Sequence, residues 1–275
     1  MTVEELICYG KQHVHSSYAN ILLAETINKN VLELLNYLDY EVPEKEEKKY
    51  KKAVTAIEKG EPLQYALGYV NFYGNRFIVN KNVLIPRFET EELVENTIKY
   101  TNEYFKNESI DIIDLGCGSG AIGLTLEKKL PLSKVDMIDI DEKALSVAKE
   151  NAKNLNSNAN LFLSDMWANV NKKYDIIISN PPYIKTMEEI EEIVKNNEPA
   201  IALFAGIDGL DCYKKIFENI KDHMKDKCLI ALEIGMTQKE DIINIVKETL
   251  GEVKIETKKD LSEKDRMIFI FKNIE

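Results

Sequence analysis

The chain has no run approaching the roughly 18 consecutive apolar residues that a membrane-spanning helix requires. Its first residues, Met1-Thr2-Val3-Glu4-Glu5, lack the basic and apolar regions of a secretory signal. These absences argue against any membrane partner and point to the cytoplasm. Cysteine is sparse: Cys8, Cys117, Cys212 and Cys228 are scattered and form no C-x-x-C pair, so no zinc or redox motif is written and no metal is expected. The thiols are expected to be reduced. Positive charge is in deficit, leaving a formal net charge of −11. Because binding a phosphate backbone depends on clustered Lys and Arg releasing counterions, long nucleic acid is a poor candidate partner. The three histidines, His13, His15 and His223, fall in no motif and are expected on the surface or in helix packing.

What is present is enough for a globular enzyme. A length of 275 residues accommodates one large domain and an accessory, each able to bury a core without metal or disulfide staples. Apolar residues make up 44%, which is too many for a disordered chain.

The pattern changes twice along the chain. Thr2 and Glu5 have capping-box spacing, Val31, Leu34, Leu35 and Leu38 fall at i, i+3, i+4 and i+7, and Tyr50, Val54 and Ile57 repeat the period before Gly60. These features predict a small helical bundle over residues 1–68. Residues 69–87 are rich in strand formers (Val70, Phe72, Phe77, Val79, Val83, Ile85) around Gly74-Asn75, which predicts a β-hairpin linker. Residues 88–275 then alternate. Strands are expected at 110–114, 135–139, 160–163, 175–179, 228–233, 252–256 and 267–271, with helices near 89–105, 120–129, 142–154, 211–224 and 237–249. Such alternation predicts an α/β domain with a mostly parallel seven-stranded sheet covered on both faces. Only a polar segment joins the last two strands, so the last strand is expected to be antiparallel.

Within that domain, the strand Ile110-Asp111-Ile112-Ile113-Asp114 runs into Leu115-Gly116-Cys117-Gly118-Ser119-Gly120 and then a helix. Glycines at a strand-to-helix turn permit positive φ and let a ligand approach the backbone closely. Asp139, at the end of the next strand, stands where an acidic residue accepts hydrogen bonds from ribose hydroxyls, and Asp141 follows it. Gly116-x-Gly118-x-x-Ala121 also satisfies a dinucleotide pattern, so a nicotinamide oxidoreductase stands as an alternative. Asp111 and Asp114 are expected at the loop mouth, where carboxylates repel a pyrophosphate and suit a cationic ligand such as S-adenosyl-L-methionine. Downstream, Asp165 is a candidate acceptor for an adenine amino group and Met166 a cover for the ring, while Trp167 is a candidate core or lid residue.

Just past the strand that ends in Ser179 stands Asn180-Pro181-Pro182-Tyr183. Two prolines fix φ and remove two N–H donors, leaving stiffly aimed carbonyls and an acceptor-rich pocket. A planar amide or exocyclic amine is a poor nucleophile, and attack on a sulfonium methyl builds positive charge on its nitrogen. The Asn180 side-chain oxygen and the Pro181 carbonyl can both accept from that –NH2, orienting it and favouring the charged transition state, while Tyr183 packs on the flat group. The expected reaction is methylation of a planar nitrogen, with S-adenosyl-L-homocysteine as the other product. At this level amide and base substrates remain open, as does a non-catalytic, cofactor-binding scaffold.

Further residues carry a resemblance. Gly60-Glu61-Pro62, Gly68, Phe72, Gly74 and Phe77 precede Val83-Leu84-Ile85-Pro86-Arg87-Phe88-Glu89-Thr90-Glu91-Glu92-Leu93-Val94. Glu198-Pro199, Ala202-Leu203, Gly206-Ile207-Asp208-Gly209-Leu210, Glu233-Ile234-Gly235, Gln238 and Asp265-Arg266 follow the N-P-P-Y motif. Over nearly its full length the chain resembles the HemK/PrmC protein-(glutamine-N5) methyltransferases, although that family usually has proline where Phe88 stands. The resemblance implies a Rossmann-like methyltransferase fold with S-adenosyl-L-methionine as cofactor. The substrate it implies is the glutamine amide in the Gly-Gly-Gln motif of peptide chain release factors, with residues 1–68 helping to dock that partner. It further implies that Gly116, Cys117, Gly118, Ser119, Gly120, Asp139, Asp165, Met166 and Asn180 contact cofactor. Asn180, Pro181, Pro182 and Tyr183 would hold the glutamine, with Asn180, Pro181 and Tyr183 in the catalytic role. Arg87 and Glu89 either border the pocket or pair to pin the linker. The competing expectation is an amino-methyltransferase acting on a base of RNA or DNA, since N-P-P-Y alone is shared with such enzymes.

Overall fold

The computed structural model describes residues 1–274, which divide into two compact units: 1–70 with 191–197, and 71–190 with the described residues from 198 onward. In the first unit the helices are α1 (Val3–His13), α2 (Ser16–Thr26), α3 (Glu44–Glu58) and α4 (Leu63–Leu67). The capping box is present at α1: the Thr2 hydroxyl accepts from Glu5 N–H, and the Glu5 carboxylate accepts from Thr2 N–H. Leu6, Leu22, Leu23, Leu34, Tyr50 and Val54 form the core, and the Tyr50 hydroxyl donates to the Leu6 carbonyl at 3.1 Å.

The expected helical face through Val31, Leu34, Leu35 and Leu38 is not what forms. Residues Val31–Tyr37 make a 3₁₀ helix, in which Leu34 is buried while Leu32 and Leu35 are 88% and 75% exposed. With three residues per turn, positions i and i+4 no longer share a face. Residues 191–197 join this unit through a short helix, Glu192–Asn197 (α8 in chain order), where the Asn197 side-chain amide donates to the Gly60 carbonyl at 2.8 Å.

The hairpin is formed by β1 (Tyr69–Phe72) and β2 (Asn75–Ile78). Its turn is Tyr73-Gly74, both at positive φ (47° and 76°), so Asn75 opens the second strand instead of turning. Two consecutive left-handed residues match the twist of paired strands.

The second unit holds the seven-stranded sheet. Its strands are β3 (Ile110–Leu115), β4 (Ser133–Asp139), β5 (Asn160–Leu163), β6 (Tyr174–Ser179), β7 (Met224–Glu233), β8 (Lys254–Lys259) and β9 (Asp265–Lys272). Its helices are α5 (Phe88–Tyr104), α6 (Ala121–Lys129), α7 (Glu142–Asn154), α9 (Asp211–Glu218), α10 (Ile220–His223) and α11 (Lys239–Leu250). The order is β5-β4-β3-β6-β7-β9-β8, with β9 antiparallel to both of its neighbours and the other pairings parallel. Every residue of β6 is buried, as a central strand covered on both faces demands. The expected helix over 211–224 is two helices broken at Asn219.

The order reverses between β3 and β6: from β3 the chain builds outward through β4 and β5, then returns to add β6 and β7 on the other side. The carboxyl ends of β3 and β6 therefore flank the crevice where open α/β sheets bind ligands. Ser179 ties these ends together, its hydroxyl donating to the Leu115 carbonyl at 2.6 Å.

Candidate active site

From β3 the chain enters Gly116-Cys117-Gly118-Ser119-Gly120. Gly116, Gly118 and Gly120 have φ of 70°, 55° and 81°, a region that costs other residues about 1–2 kcal/mol. At Gly116 and Gly118 an added Cβ would meet nothing within 4 Å, so the backbone there lies open to a ligand. Gly120 differs: its Cβ would stand 3.1 Å from Leu124 and 3.4 Å from Ala148, so it serves close packing at the start of α6.

The loop is braced from three sides. Cys117 N–H donates to the Ile138 carbonyl at 2.8 Å, Gly118 N–H to the Asp139 carboxylate at 2.8 Å, and the Asn151 amide to the Ser119 carbonyl at 2.9 Å. Asp139 also accepts from Asp141 N–H at 3.0 Å. Burial pushes the Asp139 carboxyl above its ordinary value, with those backbone N–H groups opposing the shift. Its two oxygens offer about four acceptor positions, so it can hold the loop and still accept from a ligand hydroxyl. Burial drives the Cys117 thiol well up, which makes it inert as a nucleophile.

A cavity of about 390 Å³ opens beside this loop, a size ordinary for a cofactor site. It collects Gly116, Cys117, Gly118, Ser119, Asp139, Asp165, Met166, Asn180 and Pro182, four widely separated sequence segments, in one lining. Thr90 and Asp141 join them. Gly120, Pro181 and Tyr183 are not among the lining residues. Asp165 is held by Lys215, whose ammonium stands 3.1 and 3.0 Å from its two oxygens. Trp167 belongs to the core: its indole N–H donates to the Ile216 carbonyl at 2.8 Å, and its ring stacks on His223 at 4.4 Å.

Two expectations about carboxylates need correction. Asp111 lies at the start of β3, away from the loop mouth, and pairs there with Lys172 at 3.0 Å and Lys225 at 2.6 Å. Asp114 is fully buried beneath the loop, accepting from Gly123 N–H at 2.9 Å. Neither lines the cavity. Acidic character at the site comes instead from Asp139, Asp141, Asp165 and Asp211.

At the other end of the cavity stands Asn180. Its amide nitrogen donates to the Thr90 hydroxyl at 3.1 Å, and that hydroxyl is 2.7 Å from the Glu233 carboxylate. Tyr183 follows, its hydroxyl accepting from Arg266 at 3.4 Å and its carbonyl accepting from Gln238 at 2.9 Å. Burial pushes the Tyr183 phenol up to about 12, so it stays protonated. Arg87 makes an ion pair with Glu198, whose second oxygen accepts from Ile85 N–H at 3.1 Å. This pair pins the segment before α5, and Arg87 does not line the cavity. Sequence reasoning gave no role to Thr90, Glu233 or Gln238 beyond the family resemblance; each acts through a partner remote in the chain.

The residues present fit S-adenosylmethionine. An open glycine backbone at positive φ, acidic side chains for hydroxyl and amino groups, and apolar cover from Ile140, Met166 and Ile201 match its ribose, its cationic end and its adenine.

Comparisons with known proteins agree. Residues 15–68 match the PrmC N-terminal domain family and residues 101–197 the methyltransferase small domain family. A release factor glutamine methyltransferase of Bacillus cereus is 36% identical over 90% of this chain and 90% of its own length. The Bacillus subtilis enzyme of that name is 38% identical, covering 91% and 89%, and the Streptococcus pneumoniae enzyme 38%, covering 97% and 94%. Among solved structures, the 16S rRNA N2 G1207 methyltransferase of T. thermophilus, determined with AdoMet and guanosine, superposes with a TM-score of 0.55 at 15% identity. It covers 74% of this chain and 50% of that one, and at such identity it speaks for the fold alone. Similarity of this extent across both units, together with the cavity geometry, places the chain in the release factor glutamine methyltransferase family, a family of S-adenosylmethionine-dependent enzymes.

Proposed function

We infer that the chain transfers a methyl group from S-adenosyl-L-methionine to the side-chain amide nitrogen (N5) of the glutamine in the Gly-Gly-Gln motif of peptide chain release factors. The observation that carries this reading is the Asn180 amide at the cavity wall shared with the glycine loop, its nitrogen committed to Thr90.

When bound, the cofactor supplies a methyl on a sulfonium, an electrophile that needs no further activation. The chain's own residues prepare the nucleophile. With Asn180 Nδ2 donating to Thr90, Asn180 Oδ1 is free to accept from the glutamine –NH2. The Pro181 carbonyl, between the lining residues Asn180 and Pro182 and stiffened by the two rings, is assigned as the second acceptor, although Pro181 itself does not line the cavity. Positive charge growing on the nitrogen strengthens both hydrogen bonds, so they favour the transition state over the ground state. Tyr183 borders the planar amide, held by Arg266 and Gln238. At the cofactor end, Gly116 to Ser119 and Asp139 hold the amino acid and ribose portions, and Asp165 and Met166 the adenine. Residues 1–68 act as the docking domain for the release factor, residues 69–87 as the linker, and residues 88–275 as the methyltransferase domain. The setting for this activity is the cytoplasm, where release factors work.

The test is transfer of labelled methyl from S-adenosylmethionine, with a purified release factor and total RNA offered together. Label in the release factor supports the reading. Label in RNA alone moves the assignment to a base amino-methyltransferase.

A further inference from the structure

A side-chain amide is nearly symmetric in shape, and the reading of Asn180 as an acceptor requires that its oxygen, not its nitrogen, face the substrate. A flipped amide would set one N–H donor against another. Something must therefore choose the orientation, and the chain has a built device for it. Thr90, in the first turn of α5, is buried, and Glu233, the last residue of β7, is buried as well. They lie 143 residues apart in sequence and meet at 2.7 Å behind Asn180. Thr90 then stands 3.1 Å from the Asn180 amide.

We propose that Thr90 and Glu233 are positioning residues that set the orientation of the Asn180 amide, so that its oxygen is presented to the substrate nitrogen. This rests on the reading of Asn180 as the acceptor for the glutamine –NH2. The direction follows from proton counting. An ionised carboxylate only accepts, so the single Thr90 O–H proton goes to Glu233. The Thr90 oxygen is left with lone pairs only, and Asn180 must turn an N–H toward it. Oδ1 then points the other way.

Proton uptake reverses the logic. A protonated Glu233 can donate to Thr90, which frees the Thr90 proton for Asn180 Oδ1 and makes the flipped amide equally acceptable. Besides Thr90, five groups act on Glu233: Arg266 on β9 and a hydrogen bond from the Asn180 amide favour its charge, Glu89 on α5 opposes it, and the neutral phenols of Tyr183 and Tyr213 stand nearby, Tyr213 donating to the Glu233 carbonyl at 2.8 Å. Burial outweighs the favourable contacts and pushes the Glu233 carboxyl up to about 7, within reach of ordinary assay conditions.

Steady-state kinetics on a release factor, calorimetry with S-adenosylmethionine and NMR of the Asn180 side-chain amide test the relay in the full-length chain. Thr90→Val, which keeps the shape and removes the hydroxyl, should lower kcat on the order of 10- to 100-fold while cofactor Kd stays within about twofold. Thr90→Ser should return kcat to within about threefold of wild type. Wild-type kcat should fall as pH drops through about 7, and Glu233→Gln should abolish that acid limb. The Asn180 –NH2 protons should exchange slowly, titrate with the same midpoint, and lose both properties in Thr90→Val. An unchanged kcat in Thr90→Val, a Thr90→Ser variant as poor as Thr90→Val, or an acid limb retained in Glu233→Gln would overturn the relay. If Thr90→Val does not fold, the pH profile of Glu233→Gln decides. If the wild-type chain methylates no release factor, the functional reading fails separately, and the Asn180 amide signals still decide the relay.

Discussion

Gln238 holds Tyr183 in place from 55 residues away: its side-chain nitrogen donates to the Tyr183 carbonyl at 2.9 Å. The same nitrogen donates to the Gly209 carbonyl at 3.0 Å, and its oxygen accepts from Gly235 N–H at 3.0 Å. One buried amide thus clamps the N-P-P-Y segment, the Asp208-Gly209-Leu210 turn and the segment just past β7. Gln238→Leu keeps the approximate volume and strands three backbone groups, so we expect a loss of about 3 kcal/mol. For a chain of this size that corresponds to a melting point lower by roughly 6–12 °C. Gly209→Ala should be damaging in a related way, because its φ is +76° and a Cβ would stand 2.5 Å from the Tyr183 carbonyl oxygen. Thermal unfolding followed by circular dichroism reads both, and a melting point unchanged in Gln238→Leu would contradict the clamp.

Asn180→Ala separates binding from chemistry. The side chain is assigned to the reacting nitrogen more than to the cofactor, so kcat should fall on the order of 100-fold while the S-adenosylmethionine Kd changes by about threefold or less. Equal losses in turnover and cofactor affinity, read by kinetics and calorimetry, would contradict its role as the substrate acceptor.

The glycine loop should behave in the opposite way. Gly118→Ala meets no neighbouring atom, and its cost to folding is limited to the left-handed φ of 55°, about 1 kcal/mol. Its Cβ would nevertheless occupy space at the cavity wall where the cofactor backbone contact is made. Calorimetry should show S-adenosylmethionine binding weakened on the order of 10-fold or more, with the unfolding midpoint in urea little changed. Unchanged affinity would remove the loop from the cofactor site.

Asp114 and Glu233 set a pH dependence of stability. Burial pushes both carboxyls up to about 7 from 3.8 and 4.5, the Asp139 charge adding to the shift at Asp114. In the folded state both hold protons that the unfolded chain has already released, so stability should fall as pH rises from about 4.5 through 7. Each group accounts for on the order of 3 kcal/mol across that window. Urea unfolding at pH 5 and pH 8 should show the wild-type chain weaker at the higher pH, and Asp114→Asn should remove about half of the difference. A difference left whole in Asp114→Asn would mean that Asp114 ionises freely.

The strands of the sheet were legible because β6 and the second half of β7 carry near-continuous apolar runs and β3 and β4 carry apolar residues interrupted only by a few polar ones between turns, and the loop was legible because Gly116, Gly118 and Gly120 sit at a strand end. The pairing of β9 between β7 and β8 was not, since the order of strands depends on which edges meet and not on local pattern. Helix Val31–Tyr37 misled because its leucines suit a period of 3.6 as well as they suit 3.0. Asp111 misled because it is close in sequence to the loop yet lies at the other end of a six-residue strand. Asn180 and Pro182 declared themselves through the chemistry of their side chains and rings. Thr90, Glu233 and Gln238 are ordinary residues locally, and only a fold that brings together positions as far apart as 143 residues reveals what they hold.

The central claim is the transfer of one methyl group to a glutamine amide. The most direct measurement incubates the chain with S-adenosylmethionine and a purified release factor, then determines the mass and fragmentation of the peptide bearing Gly-Gly-Gln. The account predicts a gain of a single methyl on the glutamine side chain, absent when Asn180→Ala replaces the wild-type protein. An unmodified Gly-Gly-Gln peptide, with methyl groups appearing on RNA or on another residue, would contradict it.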